Sequence, residues 1–217
     1  MGFISWLLDL LFPPKCPFCG RILGDGADPI CADCRQILPR TREGESFKVD
    51  FMTKVVSPLY YEKQVRESFL RYKFHGVSSY STVYAQLMAE TIARELDNGY
   101  DLITWVPLSR KRLRKRGYDQ ARLLAEKVAF LLTKDVKPVL KKDRDTKAQS
   151  SLLTAQERRG NVSGCYSLMD SVAIQGKRIL LIDDILTTGS TLSECARVLL
   201  LGGADAVCGA TFARKRI

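Results

Sequence analysis

The sequence is short of histidine and of acidic side chains. Its one histidine, His75, has no evident partner, so we give it no catalytic role. Acidic residues number 24 against 34 basic ones, which gives a formal net charge of +10 and a pI of about 9.3. This balance indicates a polyanionic partner, with nucleic acid first and an anionic membrane second. A basic surface that serves only solubility is the alternative.

The N-terminus lacks the features of a signal peptide and of a membrane span. No basic residue precedes Lys15, so there is no charged region ahead of the apolar run. That run, Phe3 to Phe12, is interrupted by Asp9 and is much shorter than the ~20 residues that cross a bilayer. We predict a short helix that ends at Pro13–Pro14 and packs on the main domain, with peripheral membrane contact as the alternative. The predicted location is the cytoplasm.

The chain is long enough for one ordinary domain and a small appendage. It has 217 residues, and the polar stretch from Arg40 to Asp50 is a plausible boundary. We therefore predict a small module over residues 1–45 and a main domain over residues 46–217.

Four cysteines near the N-terminus form two CxxC pairs. Cys16 and Cys19 make the first pair, and Cys31 and Cys34 make the second after an eleven-residue gap. Two such pairs at this spacing are typical of a zinc site, and four thiolates leave no open position for catalysis. Two disulfides are the alternative, which a reducing compartment disfavours. We predict structural zinc that supplies most of the folding energy of this module.

The other three cysteines lack metal-ligand spacing. Cys165, Cys195 and Cys208 each lie in an apolar or helical context. We predict that they are reduced residues of the core.

The most informative stretch runs from Lys177 to Leu192. Its apolar residues 179–182 predict a strand that is buried on both faces, and Asp183 and Asp184 follow directly. The next hydroxyl-rich segment, the phosphate loop, precedes a helix and consists of Thr187, Thr188, Gly189, Ser190 and Thr191. A helix start presents free N–H groups that suit a phosphate, and the two acids can accept hydrogen bonds from ribose hydroxyls. An ordinary strand–turn–helix is the alternative.

Alternating strand and helix patterns fill the rest of the main domain. They predict an α/β fold with a buried parallel sheet flanked by helices. Strands are predicted over residues 51–61, 101–107, 136–140 and 206–212. Helices are predicted over residues 65–72, 81–97 and 121–132, with a further one capped by Thr154.

A run of basic residues follows the strand 101–107. Six of the seven residues 110–116 are basic, and we predict a loop that faces the same cleft as Asp183. Arginine and lysine there could hold pyrophosphate or the successive phosphates of a nucleic-acid strand. The candidate DNA contacts are Arg110, Lys111, Arg112, Arg114, Lys115, Arg116, Lys141, Lys142, Arg144 and Lys147, with Arg214–Arg216 as a basic tail. Tyr72, Tyr118 and Trp105 are candidates for base stacking, although each is more often a core residue.

The stretch 177–192 resembles the signature of type I phosphoribosyltransferases, which bind phosphoribosyl pyrophosphate (PRPP). Nearly the whole chain, from Leu8 onward, resembles the ComF family of competence-associated proteins. The motifs that carry this resemblance are LLDLLFPPKCPFCG with its second CxxC, YKFHG, VPLSRKRLRKRGYDQARLLA, Arg144 with Thr146 and Gln149, RRGNVSG and LLIDDILTTGSTL. Family members usually carry Asn where this chain has Asp119.

The resemblance implies a zinc module fused to a type I phosphoribosyltransferase-like domain. It also implies a role in natural transformation, in which single-stranded DNA is handled with a helicase and other competence proteins near the membrane uptake machinery. If the enzyme is active, Asp183 and Asp184 would hold the ribose, the phosphate loop would hold the 5-phosphate, and Ser109, Arg110 and Lys111 would hold pyrophosphate with Mg²⁺. No segment is evident that would recognise an acceptor base, so the sequence leaves transferase activity open.

Overall fold

The computed structural model describes residues 13–24, 28–45, 47–74, 77–145, 162–169 and 171–216. The predicted N-terminal helix, the helix predicted at Thr154, His75 and Lys147 lie outside the described residues. Within the described ranges, no helix is long and apolar enough to cross a membrane.

Seven strands and six helices follow one another along these ranges. The strands are β1 (Val55–Val56), β2 (Leu59–Tyr60), β3 (Leu102–Trp105), β4 (Leu140–Lys142), β5 (Tyr166–Leu168), β6 (Arg178–Leu186) and β7 (Ala206–Arg214). The helices are α1 (Ala32–Ile37), α2 (Lys63–Phe74), α3 (Tyr80–Glu95), α4 (Arg110–Arg116), α5 (Gln120–Leu132) and α6 (Ser190–Leu201).

A five-stranded parallel sheet forms the centre of the molecule. Its strand order is β1–β7–β6–β3, and β2 pairs with β7 beyond β1. The apolar runs of β3 and β6 lie in the middle, where both faces of a strand are covered. This arrangement confirms the predicted α/β fold with a parallel sheet.

Alternate residues of β6 face two separate cores. Leu180 and Ile182 pack on one side with residues of α2, α3 and α5. Ile179 and Leu181 pack on the other side with residues of α6, β4 and β5. The two-residue period of a strand thus places Asp183 and Asp184, which continue β6, toward opposite faces of the sheet.

Three predictions of local structure were wrong. The predicted strand 51–61 is two short strands, because Pro58 separates them and has no N–H to donate. The predicted strand 136–140 is one parallel bridge at Val136, and β4 instead pairs antiparallel with β5. The last strand runs past Phe212 to Arg214, which is buried and pairs with Leu186 and Tyr60, so Arg214 does not belong to an exposed tail.

The predicted basic loop after β3 is also wrong, because it is the helix α4. The Ser109 hydroxyl caps this helix by accepting a hydrogen bond from the Arg112 N–H at 3.4 Å. Gly117 ends it with a φ of 80°, which a glycine adopts without strain. Lys, Arg and Leu favour helix, so the seven-residue run forms about two helical turns despite its single charge sign.

The cysteine-rich module packs directly on the main domain. Phe18 shares a core with Tyr84 of α3, and the two ring centroids are 6.2 Å apart. Ser68 and Arg71 of α2 donate hydrogen bonds to the Pro17 carbonyl at 2.5 and 2.9 Å. Helix α2 therefore carries the module on its outer side.

Candidate functional site

The four cysteines of the module converge on one point. Their Sγ atoms all lie within 4.8 Å of one another, and Cys19 Sγ is 3.6 Å from Cys31 Sγ. A tetrahedral zinc with Zn–S distances of about 2.3 Å separates its sulfurs by roughly 3.8 Å. The cluster therefore fits a structural zinc, as the sequence predicted.

Local backbone geometry explains this convergence. The first pair sits in a tight turn in which the Gly20 N–H donates to the Cys16 carbonyl at 2.8 Å, and Gly20 has a φ of 78°. The second pair brackets the start of α1, so Cys31 and Cys34 lie one helical turn apart. Burial raises the pKa of the Cys16 thiol, but backbone N–H groups of Cys19, Cys31 and Phe18 outweigh burial and bring the pKa to about 7. Thiolate, the form that binds metal, is thereby favoured.

The phosphate loop connects β6 to α6, as predicted. Gly189 precedes the helix with a φ of 76°, and the Thr188 and Ser190 hydroxyls are 2.8 Å apart. A Cβ on Gly189 would lie 2.9 Å from Val49 Cγ2, so only glycine fits there without displacing that side chain. The loop thus places hydroxyl groups and the N-terminal end of a helix at the carboxyl edge of the sheet.

The two acids lie within β6 and precede this loop. Asp184 forms an ion pair with Lys73, at the end of α2, with 3.5 Å between Nζ and Oδ2. Burial, and then the Asp184 carboxylate, raise the pKa of Asp183 well above its usual range. A half-buried carboxylate with a raised pKa, beside a phosphate loop, is typical of a ligand site.

Asp183 faces a partly buried group of polar side chains on β4, β5 and α4. The Lys142 ammonium donates to the Tyr166 hydroxyl at 3.0 Å and lies 4.9 Å from the centroid of its ring. Burial and the neighbouring Arg112 lower the pKa of Lys142, whereas Asp183 opposes this change. Lys142 therefore lines the outer groove and also lies close enough to Asp183 for the two charges to interact.

A groove of about 1090 Å³ opens between α4 and β4. The basic groove, as we name it, is lined by six cationic side chains and two acidic ones. These are Arg110, Lys111, Arg114, Lys115, Lys141 and Lys142 with Asp143 and Asp145, and Ser109 and Met169 also contribute. The helical conformation of α4 brings its residues at i, i+1, i+4 and i+5 to one side.

The remaining predicted basic contacts lie elsewhere. Arg116 donates to Gln120 Oε1 at 2.9 Å and is among the charges that act on Asp184. Arg112 lies near Lys142 and Tyr166. Arg144 donates to the carbonyls of Ser163 and Gly164 at 2.9 and 3.3 Å. The structure thus divides one basic run into a groove-lining set and a set that faces the acid pair or holds the backbone.

The aromatic residues suggested for stacking are in the core. Tyr72 is 0% exposed and Trp105 is 9% exposed, and Tyr118 packs on Tyr72 at 5.7 Å between centroids. Phe74, which the sequence did not single out, is 62% exposed and has Arg116 5.7 Å and Lys73 5.9 Å from its ring centroid. The sequence feature that could have indicated Phe74 is its place in the motif YKFHG, next to Lys73.

Asp119 has a structural role that a carboxylate fulfils, so the asparagine that is usual at this position is not required. Its carboxylate caps α5 by accepting from the Arg122 N–H at 3.2 Å, and it accepts from the Leu108 N–H at 3.1 Å. Burial raises the pKa of this carboxyl. The side chain thereby fixes the segment between β3 and α4, which forms one wall of the basic groove.

Comparisons with known proteins match both parts of the chain. Residues 7–45 match the double zinc ribbon domain, and residues 113–217 match the phosphoribosyl transferase domain. Competence protein ComFC of Streptococcus pneumoniae strain R6 is 31% identical over 177 residues, which are 82% of this chain and 71% of that protein. ComFC of Bacillus subtilis strain 168 is 28% identical over 188 residues, which are 87% of this chain and 72% of that protein.

A shorter match and a solved structure complete the comparison. The DNA utilization protein YhgH of Escherichia coli K12 is 34% identical over 108 residues, about half of each chain (49% and 46%). The glutamine PRPP amidotransferase of Bacillus subtilis, solved with ADP and GMP, has a TM-score of 0.45 and 20% identity. That match covers 65% of this chain and 30% of the other.

Proposed function

The chain belongs to the family of competence protein ComFC, and on this premise we propose that it is an accessory protein of DNA uptake that binds single-stranded DNA in the basic groove. The observation that supports this most is the charge of the groove, which has six cationic and two acidic side chains. One acid, Asp143, is already paired with Lys141 at 3.5 Å, so the electrostatic potential in the groove is strongly positive. Phosphodiester groups are the ligands that such a field attracts irrespective of sequence.

The geometry of α4 suits a strand rather than a compact anion. Arg110, Lys111, Arg114 and Lys115 are all exposed and form a row along the helix. Lys141 and Lys142 form the opposite wall on β4. A backbone that runs between the two walls would meet successive cations, as in other grooves that track single strands.

We expect Lys111→Glu/Lys115→Glu to weaken binding of oligothymidylate at low salt by about 10- to 100-fold, because two phosphate contacts become repulsions. The slope of log affinity against log salt should fall in magnitude by about 1.4, at ~0.7 per phosphate for single strands. Fluorescence anisotropy across a salt series measures both quantities.

Arg66→Glu/Lys137→Glu is the matched control. Both residues are exposed, neither lines the basic groove, and the change in net charge is the same. If the two double variants lose affinity equally, binding reflects net charge, and the groove is not the site.

We propose also that the phosphate loop and the acid pair retain a PRPP-type site, with an active phosphoribosyltransferase as the alternative function. The supporting observation is the position of Asp183 and Asp184 near the end of β6, a few residues before a helix start that Gly189 caps. Asp183 and Asp184 would hold the ribose hydroxyls, Thr187–Thr191 would hold the 5-phosphate, and Ser109–Lys111 would hold pyrophosphate. Mg²⁺ would neutralise the charge of the pyrophosphate. The departure of pyrophosphate from the ribose would need little covalent help from the protein.

PRPP with Mg²⁺ should raise the melting temperature by about 5–10 °C at a hundredfold excess over Kd, since this corresponds to about 2.7 kcal/mol. Asp183→Asn/Asp184→Asn should abolish the shift. The pKa of Asp183 is higher in the folded protein than in the unfolded chain, so ionisation of this carboxyl lowers the folding stability. The loss develops as the pH rises from the pKa of the unfolded chain through the pKa of the folded protein. Asn at this position should therefore not reduce the stability of the unliganded protein at neutral pH.

An unchanged shift in the double variant would place PRPP elsewhere. Release of pyrophosphate from PRPP in the presence of candidate acceptors separates an active transferase from a binding site alone. Ribose 5-phosphate with Mg²⁺ serves as the ligand control, because it lacks the leaving group.

The partners that we propose are a DNA-uptake helicase and other competence proteins, met on the cytoplasmic side of the membrane uptake machinery. Co-purification from competent cells, with the Lys111→Glu/Lys115→Glu variant in parallel, distinguishes partners that bind through DNA from partners that dock directly. Nuclease treatment of the same sample gives the second comparison.

A further inference from the structure

Arg214 is a buried cation with one donor, Nε, that the described residues leave without an acceptor. It ends β7, and its side chain is 6% exposed. Its Nη2 forms an ion pair with Glu45 Oε1 at 2.5 Å, whereas its Nε has no hydrogen-bond acceptor among the described residues. A guanidinium that is buried in this way costs free energy unless another acceptor completes its fork of donors.

The guanidinium lines a cavity of about 360 Å³. Four cations and one carboxylate line this Arg214 cavity, namely Lys48, Arg214, Lys215, Arg216 and Glu45, with the Tyr60 ring as part of the wall. Glu45 is already engaged, because it accepts from the Tyr60 hydroxyl at 2.6 and 2.7 Å and from the Arg42 N–H at 3.1 Å. Arg216 is paired with Glu62 at 2.9 Å, and Lys48, Arg214 and Lys215 give the cavity a net positive charge.

The cavity lies beside the phosphate loop. The Lys215 N–H donates to the carbonyl of Leu186, the residue directly before the loop, at 2.9 Å. On the other wall, Lys48 adjoins Val49, whose side chain packs on Gly189 of the loop. Both features lie at the carboxyl edge of the parallel sheet, where ligands of α/β folds bind.

We propose that the Arg214 cavity is a second oxyanion site, which takes the phosphate group of a nucleotide. The volume suffices for a small ligand, and a forked guanidinium with lysines around it matches the oxygens of a phosphate. The ligand phosphate would bind against the Arg214 guanidinium, with Lys48, Lys215 and Arg216 at the rim. The phosphate belongs either to a free mononucleotide or to a DNA strand, and both have the chemistry that this site recognises.

Titration with inorganic phosphate, followed by ¹H–¹⁵N NMR of the full chain, tests this site directly. The Nε–H signal of Arg214, assigned by its loss in Arg214→Lys, should shift and saturate. In Lys48→Ala/Lys215→Ala, which leaves the contact of Arg214 with Glu45 in place, the apparent affinity at that signal should fall about tenfold. In Ser190→Ala/Thr191→Val, which alters only the phosphate loop, the same signal should titrate as in wild type.

Two outcomes would overturn the proposal. One is an Nε–H signal that does not respond to phosphate, which would leave Arg214 as a clamp for Glu45. The other is an identical titration in the Lys48→Ala/Lys215→Ala variant. Titrations with thymidine 5′-phosphate and with oligothymidylate then distinguish the two sources by which one saturates the signal at lower concentration.

The test is independent of the proposed function. Binding of DNA in the basic groove is read from Lys111→Glu/Lys115→Glu, and neither residue lines the Arg214 cavity. Binding of PRPP is measured by the melting-temperature shift and its loss in Asp183→Asn/Asp184→Asn. Failure at Arg214 would therefore leave both of the other sites standing.

Discussion

Cys34→Ser, or removal of zinc with a chelator, should lower the free energy of unfolding by more than about 5 kcal/mol, since structural zinc contributes about 10–16 kcal/mol in zinc-finger peptides. Cys34 is 3% exposed and belongs to the same core as Phe18 and Tyr84. Loss of the cluster would expose that core and deprive Ser68 and Arg71 of the Pro17 carbonyl. Thermal melting by circular dichroism, with zinc content measured on the same sample, checks this.

Cys208→Ala is the matched control for the cluster. Cys208 is also buried, and its thiol contacts only the Ile179 carbonyl at 3.6 Å among the hydrogen bonds of the described residues. This variant should retain one zinc per chain and lose only about 1–2 kcal/mol. Equal destabilisation by the two substitutions, or full zinc content in Cys34→Ser, would contradict a structural metal centre.

Gly189→Ala should cost about 2–5 kcal/mol, because two penalties add at this position. An alanine at a φ of 76° pays about 1–2 kcal/mol for the left-handed conformation. Its Cβ would also lie 2.9 Å from Val49 Cγ2, and overpacking of this kind costs about 1–3 kcal/mol. Urea denaturation of the purified variant gives the difference.

Gly117→Ala separates the two penalties. Gly117 has a similar φ of 80°, but a Cβ there would have no atom within 4 Å. This variant should therefore pay only the conformational cost of about 1–2 kcal/mol. If Gly189→Ala lowers the free energy of unfolding no more than Gly117→Ala does, the side chain of Val49 moves aside without cost. The packing between the phosphate loop and residues 47–49 would then tolerate an added methyl group.

The parts of the fold that local pattern determines were predictable from the sequence. The apolar run 179–182 predicted a buried central strand, and β6 is that strand. The CxxC pairs predicted one cluster, because metal ligands at this spacing have few other uses. The helix α4 was predictable as well: Ser109 before it and Gly117 after it are helix boundary signals, which the run of like charges obscured.

Tertiary pairing determined what the sequence could not reveal. Arg214 is hydrophilic and near the end of the chain, but pairing with Leu186 and Tyr60 draws it into the sheet. Lys142 is the last residue of β4 and becomes part of a groove only because β4 pairs with β5. The division of the basic run into a groove set and an inner set depends on the direction in which α4 leaves β3, and no local signal encodes that direction.

Helix α2 joins two sites that the sequence treats as separate. Ser68 and Arg71 hold the turn that carries Cys16 and Cys19, and Lys73, two residues after Arg71, contacts Asp184 of the acid pair. Zinc binding at the turn and ligand binding at the acid pair would therefore both act on the C-terminal half of this one helix. By thermodynamic reciprocity, a ligand that tightened the binding of zinc through Lys73 would itself be bound more tightly, by the same factor, when zinc is present.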